Sequence, residues 1–119
     1  MAFLYVFLGG GLGSVARFGI AKALSSYNLD FPLATLIANI LACILLGSLT
    51  AYAGKHGIHP AVRYTFMVGF CGGFSTFSTF SGETFKLLEQ GQLITAALNI
   101  ILSMVICLLG IYIGIRLVK

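Results

Sequence analysis

The sequence predicts an all-α integral membrane protein with four transmembrane helices in a single domain, residues 1–119. Hydrophobic residues make up 59% of the chain and charged residues only 8%, whereas about a quarter of a typical soluble domain is charged. The mean hydropathy is +1.04. Because a helix needs about 20 mostly apolar residues to cross the hydrocarbon core, the chain has room for four spans and short connections.

Four apolar segments, at about 2–24, 33–53, 61–89 and 93–117, are long enough to span a membrane. Polar and helix-breaking residues separate them: Asn28, Asp30 and Pro32, then Gly54, Lys55, His56, Gly57 and Pro60, and finally Glu89, Gln90 and Gly91. The first segment lacks a basic leader and a small-residue cleavage site, so we expect it to be a span and not a signal peptide.

The first segment is rich in glycine, with Gly9, Gly10, Gly11 and Gly13 close together. Small residues let helix backbones approach closely in lipid, so these glycines predict helix packing. A phosphate-binding loop is not indicated, because no Gly-Lys-Ser/Thr follows. Arg17 is costly at membrane depth and is a functional candidate, either as a group that attracts anions or as a side chain that reaches back to the interface.

Polar residues also interrupt the second and fourth segments. Asn39 lies near the middle of the second segment. Its amide is consistent with two roles, lining a pore or forming an interhelical hydrogen bond. In the fourth segment, Asn99, Ser103 and Cys107 recur every four residues and form one weakly polar stripe. This stripe fits pore lining and helix packing equally.

The third segment is unusual for a membrane span. In GFCGGFSTFSTFSGE, residues 69–83, the pair Gly72 and Gly73 is followed by four hydroxyl residues, and such combinations commonly kink or break helices. We therefore predict a helix broken in mid-membrane, which is tolerated only where protein or a cavity covers the break. Carbonyl groups freed at a break suit a cation, and freed N–H groups suit an anion.

Two phenylalanines follow this predicted break. Phe77 and Phe80 are three residues apart and share one helix face, beside the hydroxyls of Ser78 and Thr79. A phenyl ring has a positively polarised edge, so ring edges and hydroxyl donors together suit a small anion without any fixed positive charge. Contact with lipid or with a partner helix would also explain the rings. Glu83 follows closely, and its position fits a pore mouth and a solvated helix end equally.

The charges beside the four segments are nearly balanced across the membrane. Counting Lys and Arg gives four on the side of the termini and three on the other: Lys55, Arg63, Arg116 and Lys119 against Arg17, Lys22 and Lys86. Such a balance favours insertion in both orientations and an antiparallel homodimer. If Arg17 lies too deep to count, the ratio of four to two favours one orientation.

Taken together, these residues resemble the Fluc/CrcB fluoride channel family over essentially the whole chain. The specific part is GGFSTFSTF, residues 72–80, supported by the glycine-rich first segment ending near Arg17, by Thr35 and Asn39, and by Gly47. The resemblance implies an antiparallel, dual-topology homodimer in the cell inner membrane, with two pores that passively export cytoplasmic fluoride.

The resemblance also implies roles for particular residues. Phe77 and Phe80 would line the pore and Asn39 would be its amide, while the other polar groups along the route would be Ser78, Thr79, Glu83, Ser103 and Arg17. The backbone carbonyls of Gly72 and Ser75 would hold a structural sodium ion at the dimer interface. The family more often has Thr where Ser75 stands, and has Tyr followed by serines where this chain has the 99–103–107 stripe.

Other classes of protein fit the sequence less well. A small proton-coupled multidrug antiporter has this length and span number but needs a carboxylate within the membrane, whereas Asp30, Glu83 and Glu89 all lie near predicted span ends. No nucleophile is paired with a base, so we do not expect an enzyme. The three cysteines lack the spacing of a zinc site, and the net charge of +4 is too scattered to indicate nucleic-acid binding.

Overall fold

The computed structural model describes residues 1–27 and 31–119, so Asn28 and Asp30 of the first predicted connection lie outside the described residues. Within these two ranges the chain is helical and contains no strand. The elements are α1 (Ala2–Leu24), a 3₁₀ turn (Ser25–Tyr27), α2 (Leu33–His56), α3 (Pro60–Val62), a π-helical segment (Arg63–Phe70), α4 (Cys71–Phe74), α5 (Phe77–Glu89) and α6 (Leu93–Val118).

Three helical stretches within the described residues are long and apolar enough to cross a membrane, namely Ala2–Tyr27, Leu33–His56 and Leu93–Val118. They correspond to the first, second and fourth predicted segments. The third predicted segment is divided into a helical run over 60–74, which includes the π-helical turns, and a separate helix, α5.

The division between these two parts lies at Ser75 and Thr76, which have extended backbones (φ −83°, ψ 155° and φ −153°, ψ 127°). The Ser75 N–H and hydroxyl both donate to the Cys71 carbonyl, at 3.0 and 2.7 Å, and so complete the last turn of α4. The Thr76 hydroxyl accepts from the Thr79 N–H at 3.2 Å and caps the start of α5. The Thr76 hydroxyl therefore takes the N–H that a continuous helix would pair with the Ser75 carbonyl.

Glycines mark two close helix contacts. α1 packs against the 63–74 run, where an added Cβ on Gly9, Gly13 or Gly73 would collide with the backbone of the facing helix. α2 packs against α6 in the same manner through Gly47 and Gly114. The packing role predicted for the glycines of the first segment is thus confirmed for Gly9 and Gly13, whereas Gly11 faces open space.

Few large side chains are buried inside the chain. Ala38, Ala42 and Phe74 form a small core where α2 meets α4, with Ala16 and Phe70 packed beside it. Many large apolar side chains of α1 and α6 are exposed, among them Phe3 at 92% and Ile94 at 78%. Such an apolar exterior is unsuited to water and matches a lipid environment.

Candidate functional site

A cavity of about 290 Å³ lies beside the break between α4 and α5 and opens to the surface of the chain. Its walls come from α2, the break, α5 and α6. The lining residues are Asn39, Cys43, Ser75, Thr76, Phe77, Phe80, Ser103, Met104 and Cys107. The fold thus gathers Asn39, the phenylalanine pair and Ser103 from three separate parts of the sequence.

The Asn39 side chain forms two hydrogen bonds with the backbone at the break. Its Oδ1 accepts a hydrogen bond from the Thr76 N–H at 2.9 Å, and its Nδ2 donates to the Thr76 carbonyl at 3.4 Å. Both main-chain polar groups of this non-helical residue are thereby paired, as buried backbone groups must be. Asn39 also lines the cavity, so it combines the interhelical hydrogen bond and the cavity position that the sequence left as alternatives.

The two phenylalanines form one wall of the cavity. Their ring centroids are 5.9 Å apart and the ring planes are inclined by 42°, within the range favoured by aromatic pairs. Phe80 is half-buried, whereas Phe77 is 78% exposed. Because Phe77 is the first residue of α5, the geometry of the break sets the position of its ring.

A chain of hydrogen bonds joins α6 to the backbone of Phe80. The Ser103 hydroxyl donates to Asn99 Oδ1 at 3.3 Å, Asn99 Nδ2 donates to Thr84 Oγ1 at 2.8 Å, and the Thr84 hydroxyl donates to the Phe80 carbonyl at 2.8 Å. Asn99 is 1% exposed and does not line the cavity. The polar stripe therefore divides, with Asn99 in packing and with Ser103 and Cys107 at the cavity.

Arg17, Ser78 and Thr79 lie near the break but not in the described lining of the cavity. Arg17 Nε donates to the Gly73 carbonyl at 3.2 Å, near the end of α4, where helix carbonyls lack intrahelical partners. The hydroxyls of Ser78 and Thr79 each lie 3.3 Å from that of Thr76. Arg17 thus contacts a carbonyl that the break leaves free, whereas Ser78 and Thr79 contact the side chain that caps α5.

Glu83 lies in a different cavity, of about 320 Å³, which is lined by the end of α1 and the start of α2. The lining includes Leu24, Phe31 and Leu33. The Oε1 atom of Glu83 is buried and has no hydrogen-bond partner among the described residues. Glu83 is thus separate from the described lining of the cavity that contains the phenylalanines.

The backbone at the break leaves carbonyl groups available. In a continued helix the Thr76 N–H would bond to the Gly72 carbonyl and the Thr79 N–H to the Ser75 carbonyl. Instead the first donates to Asn39 and the second to the Thr76 hydroxyl. Gly72 is exposed and faces open space within the described structure. Neutral carbonyl oxygens suit hard cations, so Gly72 and Ser75 have the donor chemistry that a sodium ion requires.

Comparison with known proteins decides which family this is. Residues 4–115 match the family described as CrcB-like protein, Camphor Resistance (CrcB). The chain belongs to this family. The resemblance seen in the sequence is thereby confirmed, and this CrcB-family chain is a multi-pass membrane protein.

Several curated relatives of this CrcB-family chain bear the name fluoride-specific ion channel FluC. The relative from Shewanella amazonensis is 40% identical over 116 residues, which cover 97% of this chain and 94% of the relative. The relative from Methylobacillus flagellatus is 42% identical over 119 residues, covering 98% and 93%, and the one from Flavobacterium psychrophilum is 38% identical over 117 residues, covering 97% and 94%. These proteins are named as ion channels, in agreement with the prediction that the chain is not an enzyme.

The sequence did not single out every residue that builds the site. Cys43 and Met104 line the cavity, and Thr84 links Asn99 to the Phe80 carbonyl. Two of these positions carry a signal in the sequence, because Cys43 follows Asn39 by four residues and Thr84 follows Phe80 by four. Residues four apart lie on the same helix face, so the residue one turn after a predicted site residue is itself a candidate for the site.

Proposed function

We propose that this CrcB-family protein is a fluoride-selective channel that passively exports cytoplasmic fluoride. The observation that carries the proposal is the cavity beside the helix break, in a chain whose curated relatives are named fluoride-specific ion channels. It brings the Asn39 amide, the two phenyl rings and the Ser103 hydroxyl to one place.

The chemistry of the cavity suits passage of a small anion. No Lys, Arg or His is among its described lining residues, so an anion meets only neutral groups, among them the second N–H of the Asn39 amide and the polarised edges of the two rings. Conduction requires binding that is favourable enough for entry and weak enough for release. Because fluoride is small, an N–H donor approaches it more closely than it approaches a larger anion, which favours fluoride.

The segment from 60 to 89 supplies the third of four spans in this proposal, with its break at Ser75 and Thr76 in mid-membrane. α1 packs along the 63–74 run, and α5 packs against α6, so the two parts follow one path between the other helices. The hydrogen bonds from Asn39 and Arg17 to the break support this placement, because lipid supplies no partners for freed backbone groups.

Two copies of the chain pair antiparallel in the inner membrane in this proposal, giving two pores. The near balance of flanking charges supports insertion in both orientations. The exposure of Phe77 supports a partner, because its ring stands on an open side of the cavity. A second copy that covers this side would turn an open cavity into an enclosed route.

A sodium ion at the dimer interface completes the proposal. The Gly72 and Ser75 carbonyls of each copy would hold it, since their usual helical partners bond elsewhere. When bound, the ion would supply a positive charge that attracts the carbonyl oxygens at the helix break of each copy. Dimer stability in detergent should then be higher in sodium than in N-methylglucamine medium, and equal stability in both would remove the ion from the proposal.

Fluoride efflux from liposomes containing the purified protein tests the main proposal, with chloride efflux recorded in parallel. Rapid fluoride release with negligible chloride release is the expected result. If a folded dimer in sodium releases no fluoride, the channel proposal fails and proton-coupled drug export becomes the next activity to test.

For topology, a Lys119→Cys variant in whole cells should label from both membrane faces, whereas labelling from one face excludes dual orientation.

A further inference from the structure

Two cysteines lie in the wall of the 290 Å³ cavity. Cys43 on α2 and Cys107 on α6 both line it, so the cavity brings two thiols to one wall where these helices pack. Both residues are only half-buried and neither forms a disulfide. This placement follows from the close packing of α2 on α6, because a Cβ built on Gly110, three residues beyond Cys107, would lie 3.3 Å from Cys43 Cβ.

The surroundings of these thiols restrict what they can bind. The cavity wall between them is apolar apart from a few hydroxyl and amide groups, and the third sulfur in the lining is the Met104 thioether. Within the described residues no group of three or more His, Cys, Asp or Glu side chains could hold a metal ion. A hard or tetrahedral cation such as Mg²⁺ or Zn²⁺ therefore lacks its preferred ligands here.

We propose that Cys43 and Cys107 form a two-thiol site for a soft divalent ion that accepts linear coordination by two sulfurs. Thiolate and thioether ligands select soft metal ions. Each thiol releases one proton and forms one metal–sulfur bond, so two thiolates and one divalent ion give a neutral product. Neutrality matters because an apolar cavity strongly disfavours a net charge.

An ion bridging these sulfurs would occupy the space beside the two phenyl rings. Ser103 lies one helical turn before Cys107 on the same face, and Phe77 and Phe80 line the same cavity. Bound metal is therefore expected to obstruct fluoride passage, a consequence that rests on the proposed function. Metal binding itself does not depend on that function and can be measured separately.

Titration of the purified full chain with mercuric chloride tests the site, with free thiols counted by a thiol-specific dye. We expect the first equivalent of mercury to consume two of the three thiols in the wild-type protein. Cys71 is the matched control, because it is buried and lies outside the described cavity lining. Cys71→Ala should still lose two thiols to one mercury, whereas Cys43→Ala and Cys107→Ala should each lose only one.

Fluoride efflux from the same preparations gives the second readout. Mercury is expected to block efflux through wild type and Cys71→Ala at one equivalent per chain, and an excess of a monothiol should reverse the block slowly. Consumption of one thiol per mercury in the wild type, or loss of the two-thiol reaction in Cys71→Ala, would overturn the site. If every preparation lacks efflux while the thiol counts are as expected, the proposed function fails and the metal site stands.

Discussion

Replacing Asn39 with alanine removes the side chain that pairs both the backbone N–H and the carbonyl of Thr76. The variant loses a 2.9 Å bond from the Thr76 N–H and a 3.4 Å bond to its carbonyl. The longer bond lies near the limit of useful geometry, so most of the loss comes from the N–H. With no helical partner at this position, that N–H must stay unpaired or the break must rearrange.

The size of the effect follows from these bonds. An unpaired buried donor costs about 1–3 kcal/mol, and interhelical hydrogen bonds within membranes average about 0.6 kcal/mol with a maximum near 1.7. We therefore expect Asn39→Ala to lower the free energy of unfolding by about 1–2 kcal/mol, which is roughly a 5- to 30-fold change in the ratio of folded to unfolded protein. Fluoride efflux should fall as well, because Phe77 directly follows the displaced peptide.

Denaturant or thermal unfolding of the detergent-solubilised protein measures the first effect, and liposome efflux measures the second. Thr50→Ala is a suitable control on the same helix, because Thr50 is exposed and its hydroxyl donates to the Leu46 carbonyl one turn earlier. This control should match the wild type in both assays. If Asn39→Ala has the stability and the fluoride efflux of the wild type, the Asn39 hydrogen bonds do not stabilise the break and the reasoning is refuted.

Three further substitutions test other contacts. Phe80→Ile should nearly abolish fluoride efflux while the dimer persists, because it removes a polarised ring edge but keeps an apolar side chain; undiminished efflux would exclude the ring pair from the route. Thr84→Val should lower the free energy of unfolding by about 1–3 kcal/mol, since it leaves the buried Asn99 amide without an acceptor, and a denaturation midpoint equal to that of wild type would contradict this. Gly47→Ala should reduce the yield of folded protein, because its Cβ would collide with the backbone of α6, whereas Gly54→Ala faces open space and should not; equal yields would show that α2 and α6 separate easily.

The helix break shows how far the sequence pattern could go. The glycine pair and the hydroxyl residues after it together predicted an interruption in this region, and the backbone departs from the helix at two of those hydroxyl residues, Ser75 and Thr76. Hydroxyl groups end one helix and cap the next, while Gly73 lies in the closely packed contact with α1. Glycine and hydroxyl residues thus have separate roles that their adjacency in the sequence does not distinguish.

The candidate site was predictable where residue chemistry and spacing coincide. Asn39, Phe77, Phe80 and Ser103 were named from the sequence and line one cavity. Glu83 was also named, yet it lies in a second cavity. The cavity that the Glu83 side chain lines depends on the rotational orientation of α5 relative to α1 and α2. Helical spacing in the sequence does not determine that orientation.

The sequence by itself determined that the protein lies in a membrane, that it is helical, and which family it belongs to. Long apolar runs require helices in lipid, and the motif at residues 72–80 is specific to the family. Only the tertiary structure decided which polar groups pair. Asn39 and Thr76 are 37 residues apart, and Arg17 and Gly73 are 56 apart, so neither bond follows from local spacing. These partners meet because the glycine contact between α1 and the 63–74 run brings the break against the first two helices, and a buried break must find its hydrogen bonds there.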